Sequence, residues 1–135
     1  MVTRIGALEQ QLWDFVSAYD AAFDRASEDN GLSAAQACTL TPLTGEKHTM
    51  SELAGLLLCD ASNVTQIVGR LETRGLVSRT PDPADRRVKQ VAITPDGRRL
   101  RRAVAKSFTF PRERVARLDD DEQEQLAHLL AKMLS

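Results

Sequence analysis

The stretch DASNVTQIVGRLETRGLVSRTPDPADRRVKQVAIT, residues 60–94, decides the fold. In its first half Val64, Ile67, Val68 and Leu71 recur at helical spacing. Asp60 stands where an N-cap belongs, and Gly75 suits a left-handed stop after Arg74. The opposite face of this helix is polar: Ser62, Asn63, Thr65 and Gln66 near its start, Arg70 and Arg74 further along. After Gly75 the periodicity shortens. Val88, Gln90, Ala92 and Thr94 alternate with Lys89, Val91 and Ile93, and PDPAD at 81–85 supplies turn chemistry, so a β-hairpin is expected with Asp85, Arg86 and Arg87 near its tip.

Upstream, Ser33 with Gln36 and Thr49 with Glu52 each match the capping-box spacing, which predicts two short helices ahead of the polar-faced one. Before them Ile5, Leu8, Leu12, Phe15, Tyr19, Ala22 and Ala26 form one apolar seam, widened by Trp13, Val16 and Phe23. That spacing predicts a long helix ending at Asn30–Gly31. Downstream, Thr94–Pro95 opens a basic helix, which Pro111 should break or kink. Asp119 and Glu122 form another capping pattern ahead of Leu126, Leu129, Leu130, Met133 and Leu134. Both ends are thus apolar-striped helices, with more apolar surface than one small domain covers, and a partner subunit is expected.

At 135 residues the chain fits a single unit. Its net charge of −1 conceals an asymmetry: residues 60–117 carry fourteen Lys/Arg against six Asp/Glu, while both flanks are acidic. A local basic excess is what attracts phosphate, although the same excess also suits a merely solvated face. No stretch approaches the roughly 20 apolar residues of a membrane span, and the start lacks a signal-peptide pattern, so a cytoplasmic protein without membrane contact is expected. Cys38 and Cys59 lack metal-ligand spacing and read as buried small side chains, with a redox-sensing thiol as the alternative. His48 and His128 stand apart from any carboxylate or cysteine cluster, so no metal and no cofactor are expected. Nothing pairs a nucleophile with a base, and no Gly-rich phosphate loop occurs, which argues against an enzyme.

Helix, turn, helix and hairpin is the winged helix-turn-helix order, in which the second helix of the pair enters the DNA major groove. Asn, Gln and hydroxyl side chains reach base edges, whereas Arg70 and Arg74 better suit phosphate. A hairpin beside that helix reaches toward the adjacent minor groove, where narrow A·T-rich DNA attracts arginine. Asp85 beside two guanidiniums can fix one and leave the other to probe the groove.

The run MSELAGLLLCDASNVTQIVGRLETRGLVSRTPDPADRRVKQVAITPDG resembles the MarR family of bacterial winged-helix regulators, and the flanking helices match its dimerisation ends. The most specific pieces are the polar-faced helix, RGLV, Asp85–Arg86–Arg87 and the Thr–Pro–x–Gly start of the next helix. The resemblance implies a mainly α (α+β) fold over residues 1–135: a winged helix-turn-helix lobe at 33–94 and dimerisation helices at 1–30 and 95–135. It further implies a homodimer that binds a pseudo-palindromic operator in double-stranded DNA. Such a dimer would commonly be a repressor, released by a small aromatic or lipophilic effector. In the family the position matching Arg86 tends to enter the minor groove, and those matching Asp85 and Arg87 brace the wing or hold phosphate. The family's usual glycine after the first helix of the pair falls on Leu58. The cysteine of its oxidant-sensing members lies in the N-terminal helix, which has none here. The reading from another class is a winged-helix module that binds protein and not DNA; it has no use for Arg86 or for the polar face at 62–66.

Overall fold

A computed structural model describes residues 3–57 and 63–135. In chain order the elements are α1 (Arg4–Asp29), α2 (Ala34–Leu40), β1 (His48–Thr49), α3 (Met50–Leu56), α4 (Val64–Thr73), β2 (Val77–Pro81), β3 (Lys89–Ile93), α5 (Pro95–Ser107), α6 (Phe110–Val115) and α7 (Asp120–Leu134). The fold is mainly helical with one small antiparallel sheet, as expected from the sequence. Two compact units emerge: Phe23–Ser107, and the residues up to Ala22 together with Phe108–Ser135.

Within the first unit, local signals set the helix ends. Ser33 Oγ accepts from the Gln36 amide, and Gln36 Oε1 returns the bond to the Ser33 amide. Thr49 Oγ1 accepts from the Glu52 amide. Gly31 and Gly75 both adopt φ +73°. Each lets the chain fold back, so that Leu32 N–H reaches Ser27 O and Leu76 N–H reaches Leu71 O, both at 2.9 Å. Only glycine enters this left-handed region without strain.

The sheet has the order β1-β3-β2. The hairpin β2–β3 pairs Val77 with Ile93 and Pro81 with Lys89. A third strand, which the sequence reading did not include, pairs His48 with Val91 and Thr49 with Gln90. Val64, Val68 and Leu71 on α4 are buried in one core with Leu40, Leu43, Leu53, Leu76, Val77, Val91 and Val104. Full burial of each aliphatic side chain stabilises by about 1.5–3 kcal/mol, which makes this face the main tie between α4 and the rest of the lobe.

The junction from hairpin to α5 is tight. Thr94 donates from its amide to Leu76 O at 3.1 Å and from its hydroxyl to Gly75 O at 2.6 Å, while Thr94 Oγ1 also accepts from the Gly97 amide. A Cβ on Gly97 would overlap the Leu76 carbonyl oxygen and come within 2.8 Å of Ile93 Cγ1, so only glycine fits there.

In the second unit Phe15 packs against Phe110 with ring centroids 5.6 Å apart, and Tyr19 meets Phe108 edge-on at 5.0 Å. α5 ends at Ser107 and α6 begins at Phe110, with Pro111 in its first turn, so the helix is broken there. Asp119 and Glu122 form a complete capping box at the start of α7. Most of the seam read from the sequence stays uncovered within the chain: Ile5, Leu8, Leu12, Trp13, Phe15 and Val16 on α1 and Leu126, Leu129, Leu130, Met133 and Leu134 on α7 are exposed, whereas Ala22 and Phe23 are half-buried and Ala26 is buried. Among the described residues no helix is long and apolar enough to cross a membrane.

Candidate nucleic-acid interface

The helix α4 presents opposite faces of opposite character. Val64, Val68 and Leu71 point inward, and Asn63, Thr65, Gln66, Arg70, Thr73 and Arg74 are exposed. Asn63 occupies the N-cap position at φ −93°, ψ −7°, and its side chain makes no cap bond among the described residues. Asp60, Ser62 and Cys59 lie outside the described residues. An open groove of about 460 Å³ runs along this face, lined by Gln36, Gln66, Gly69, Arg70, Thr73 and Arg74.

The two arginines of α4 differ. Arg70 is exposed on the polar face. Arg74 Nη1 instead donates to Gly31 O at 2.9 Å and to Gln36 Oε1 at 3.3 Å, tying the end of α4 to the turn before α2.

At the hairpin tip Asp82 N–H donates to Val88 O at 2.8 Å, and Val88 N–H donates to Asp85 O at 3.0 Å. The Asp82 carboxylate also accepts from the Ala84 amide at 2.8 Å. Asp85 Oδ1 accepts from both the amide and Nε of Arg87, at 3.1 and 3.3 Å. Of the two wing arginines, the carboxylate therefore holds Arg87. Arg86 is exposed and makes no hydrogen bond or ion pair among the described residues. The site residues thus fall in two groups within one unit: Asn63, Thr65, Gln66 and Arg70 on the outer face of α4, and Asp85, Arg86 and Arg87 at the hairpin tip.

One element of the site escaped the sequence reading. Glu72, in the last turn of α4, accepts from Arg79 on β2 through both oxygens. The Arg79 amide reaches Oε2 at 3.2 Å, while Nη2 and Nε reach Oε1 at 3.0 and 3.3 Å. These bonds from the guanidinium hold the Glu72 carboxyl below its ordinary range against an opposing push from desolvation. Glu72 lies on a helix and Arg79 on a strand, so no single periodicity joins them and only the intervening turn reveals the pair.

The MarR family profile matches residues 44–89, the segment from the loop before β1 through the wing tip to the start of β3. The repressor MdtR of Bacillus subtilis is 31% identical over 110 residues, covering 78% of this chain and 70% of MdtR. The chain belongs to the MarR family. A structure of BpsR from Bordetella bronchiseptica, solved in work on regulation of its DNA binding by 6-hydroxynicotinic acid, is similar with a TM-score of 0.74 and 27% identity. That likeness covers 100% of this chain and 96% of BpsR. A point mutant of Escherichia coli MarR, complexed with operator DNA, shares the MarR fold at TM-score 0.80 and 24% identity, over 100% of this chain and 99% of that one. The chain spans about half the length of several other curated MarR-type relatives that it matches. The curated relatives carry the names of transcriptional regulators, not of enzymes.

Proposed function

We propose that this MarR-family chain is a sequence-specific, homodimeric DNA-binding transcriptional regulator of the cytoplasm rather than an enzyme. The observation that carries the reading is the pairing, within one unit, of a polar exposed face on α4 with an exposed Arg86 at the hairpin tip that has no partner among the described residues. Asn63, Thr65 and Gln66, with Ser62, would read base edges, while Arg70 and Arg74 would meet phosphate. Arg74 would keep its hold on Gly31 and offer its remaining guanidinium donors. Arg86 would enter the minor groove, with Asp85 ordering Arg87 beside it.

In this reading residues 33–94 are the DNA-binding lobe, and 1–30 with 95–135 supply the dimer contacts. The exposed apolar residues of α1 and α7 support that division, since a monomer would leave them in water. A two-fold dimer would bind a pseudo-palindrome with half-sites about 10 base pairs apart. Repression, and release by a small aromatic or lipophilic effector, are supported by the repressor name of MdtR and by the 6-hydroxynicotinic acid of BpsR. Selection of bound sequences from a random duplex pool tests the reading. A recovered inverted repeat supports it, and a pool without enrichment, from a protein that is folded and dimeric by sedimentation, overturns it.

A further inference from the structure

The strand β2 lies at the edge of its sheet, so alternate amides along it point away from β3. In the register Arg79 opposite Val91, the Arg79 amide is one that points outward, and Pro81, two residues on, has no amide hydrogen. The outward donor at Arg79 is taken by Glu72, whose second oxygen simultaneously holds the Arg79 guanidinium. At Arg79 the edge is thereby met by a carboxylate from the last turn of α4. Leu71 and Leu76 anchor the short connection on either side of Glu72 and Gly75 in the core.

This arrangement fixes a direction. The base-facing residues of α4 and the wing arginines sit on different elements. Among the described residues those elements are joined by the core, by the short turn through Gly75 that Thr94 holds, and by the three bonds between Glu72 and Arg79. From Arg79 the strand runs two more residues to Pro81, roughly 7 Å, before the tip loop that bears Arg86. A small rotation of β2 about its base is enlarged at Arg86. We propose that Glu72, through Arg79, is a positioning residue that sets the reach of the wing relative to α4, so that Arg86 and the base-reading face engage one duplex together. Neither Glu72 nor Arg79 needs to touch DNA for this. The clamp has two parts with separable effects: the amide bond orients the strand edge, and the guanidinium bond stiffens it.

The inference rests on the DNA-binding reading above. Its test is a double-variant cycle on the duplex recovered from the random pool, measuring affinity across a salt series for the whole chain as Glu72→Gln, Arg86→Ala and the two combined. With the clamp acting through the wing, Glu72→Gln weakens binding and flattens the salt dependence as Arg86→Ala does. Each arginine withdrawn from the duplex lowers the slope by about 0.9, and the combined variant binds within about twofold of Arg86→Ala alone. Effects that multiply, or an unchanged salt slope for Glu72→Gln, overturn the positioning role and leave the DNA-binding reading standing. No effect of Arg86→Ala on affinity or slope overturns the wing's part in binding, and the clamp's role with it. Arg79→Met provides the second variant, because it leaves Glu72 its amide contact and an aliphatic stem at position 79. It repeats the cycle with a smaller effect of the same sign if Glu72→Gln does not fold.

Discussion

Replacing Gly97 by alanine probes the junction on which the wing is mounted. The added methyl would overlap the Leu76 carbonyl oxygen and crowd Ile93 Cγ1 at 2.8 Å. Both obstacles are rigid, one being backbone and the other a branched side chain in the core, so relief requires moving α5 away from the sheet. Overpacking of this kind costs about 1–3 kcal/mol. The displaced carbonyl also loses the bond from Thr94 N–H, worth about 1 kcal/mol. Alanine's better helix propensity returns up to about 1 kcal/mol. The net expectation is a loss of about 1–3 kcal/mol, read by urea unfolding at fixed protein concentration with an unchanged m-value. Gly69→Ala is the internal control. That glycine lies within α4 with nothing within 4 Å of a new Cβ, so the substitution should stabilise by about 0.5–1 kcal/mol. A Gly97→Ala protein within about 0.5 kcal/mol of the parent would refute the close-approach argument, since ordinary surface substitutions stay in that range.

Other consequences concern the interface and the assembly. Asn63→Ala or Gln66→Ala should relax preference at particular base pairs by about 1–3 kcal/mol while sparing non-specific binding, measured by competition among single-base operator variants; uniform weakening on all sequences would assign these side chains to the backbone. Leu129→Glu, on the exposed stripe of α7, should shift the chain toward monomer in sedimentation at micromolar concentration, and an unchanged dimer would place the interface elsewhere. Asp85→Ala should weaken operator binding in fluorescence anisotropy although it removes a negative charge near DNA, because Arg87 loses both bonds that order it; tighter binding would show the carboxylate to be only a repulsive neighbour.

Much of this architecture is legible in the sequence because it rests on local chemistry. Ser33–Gln36 and Asp119–Glu122 announce capping boxes, Gly31 and Gly75 announce left-handed stops, and the change of period after Gly75 announces the hairpin. What stays hidden depends on the turn that brings separate elements together. β1 is two residues long, too short for alternation to register, and exists only because β3 offers it a partner. Arg74 shares a helix face with Arg70 by spacing, yet its guanidinium bonds Gly31 and Gln36, 43 and 38 residues away. The Glu72–Arg79 clamp crosses a helix, a turn and a strand, so neither periodicity contains it. The close approach at Gly97 likewise appears only once α5 is laid on the sheet.

If α4 and the hairpin tip bind one duplex together, the consequence falls on Arg86. The measurement is the affinity of the parent and of Arg86→Ala for the selected duplex, with A·T-rich and with G·C-rich flanks, across a salt series. Joint engagement requires a weakening that is larger on the A·T-rich flanks, where a narrow groove concentrates negative potential. It also requires a slope of log affinity against log salt that is shallower by about 0.9 for each wing engaged, or about 1.8 for a dimer using both wings. Equal affinity and an equal slope for the two proteins on both duplexes would contradict it, and would leave the hairpin as a solvated turn.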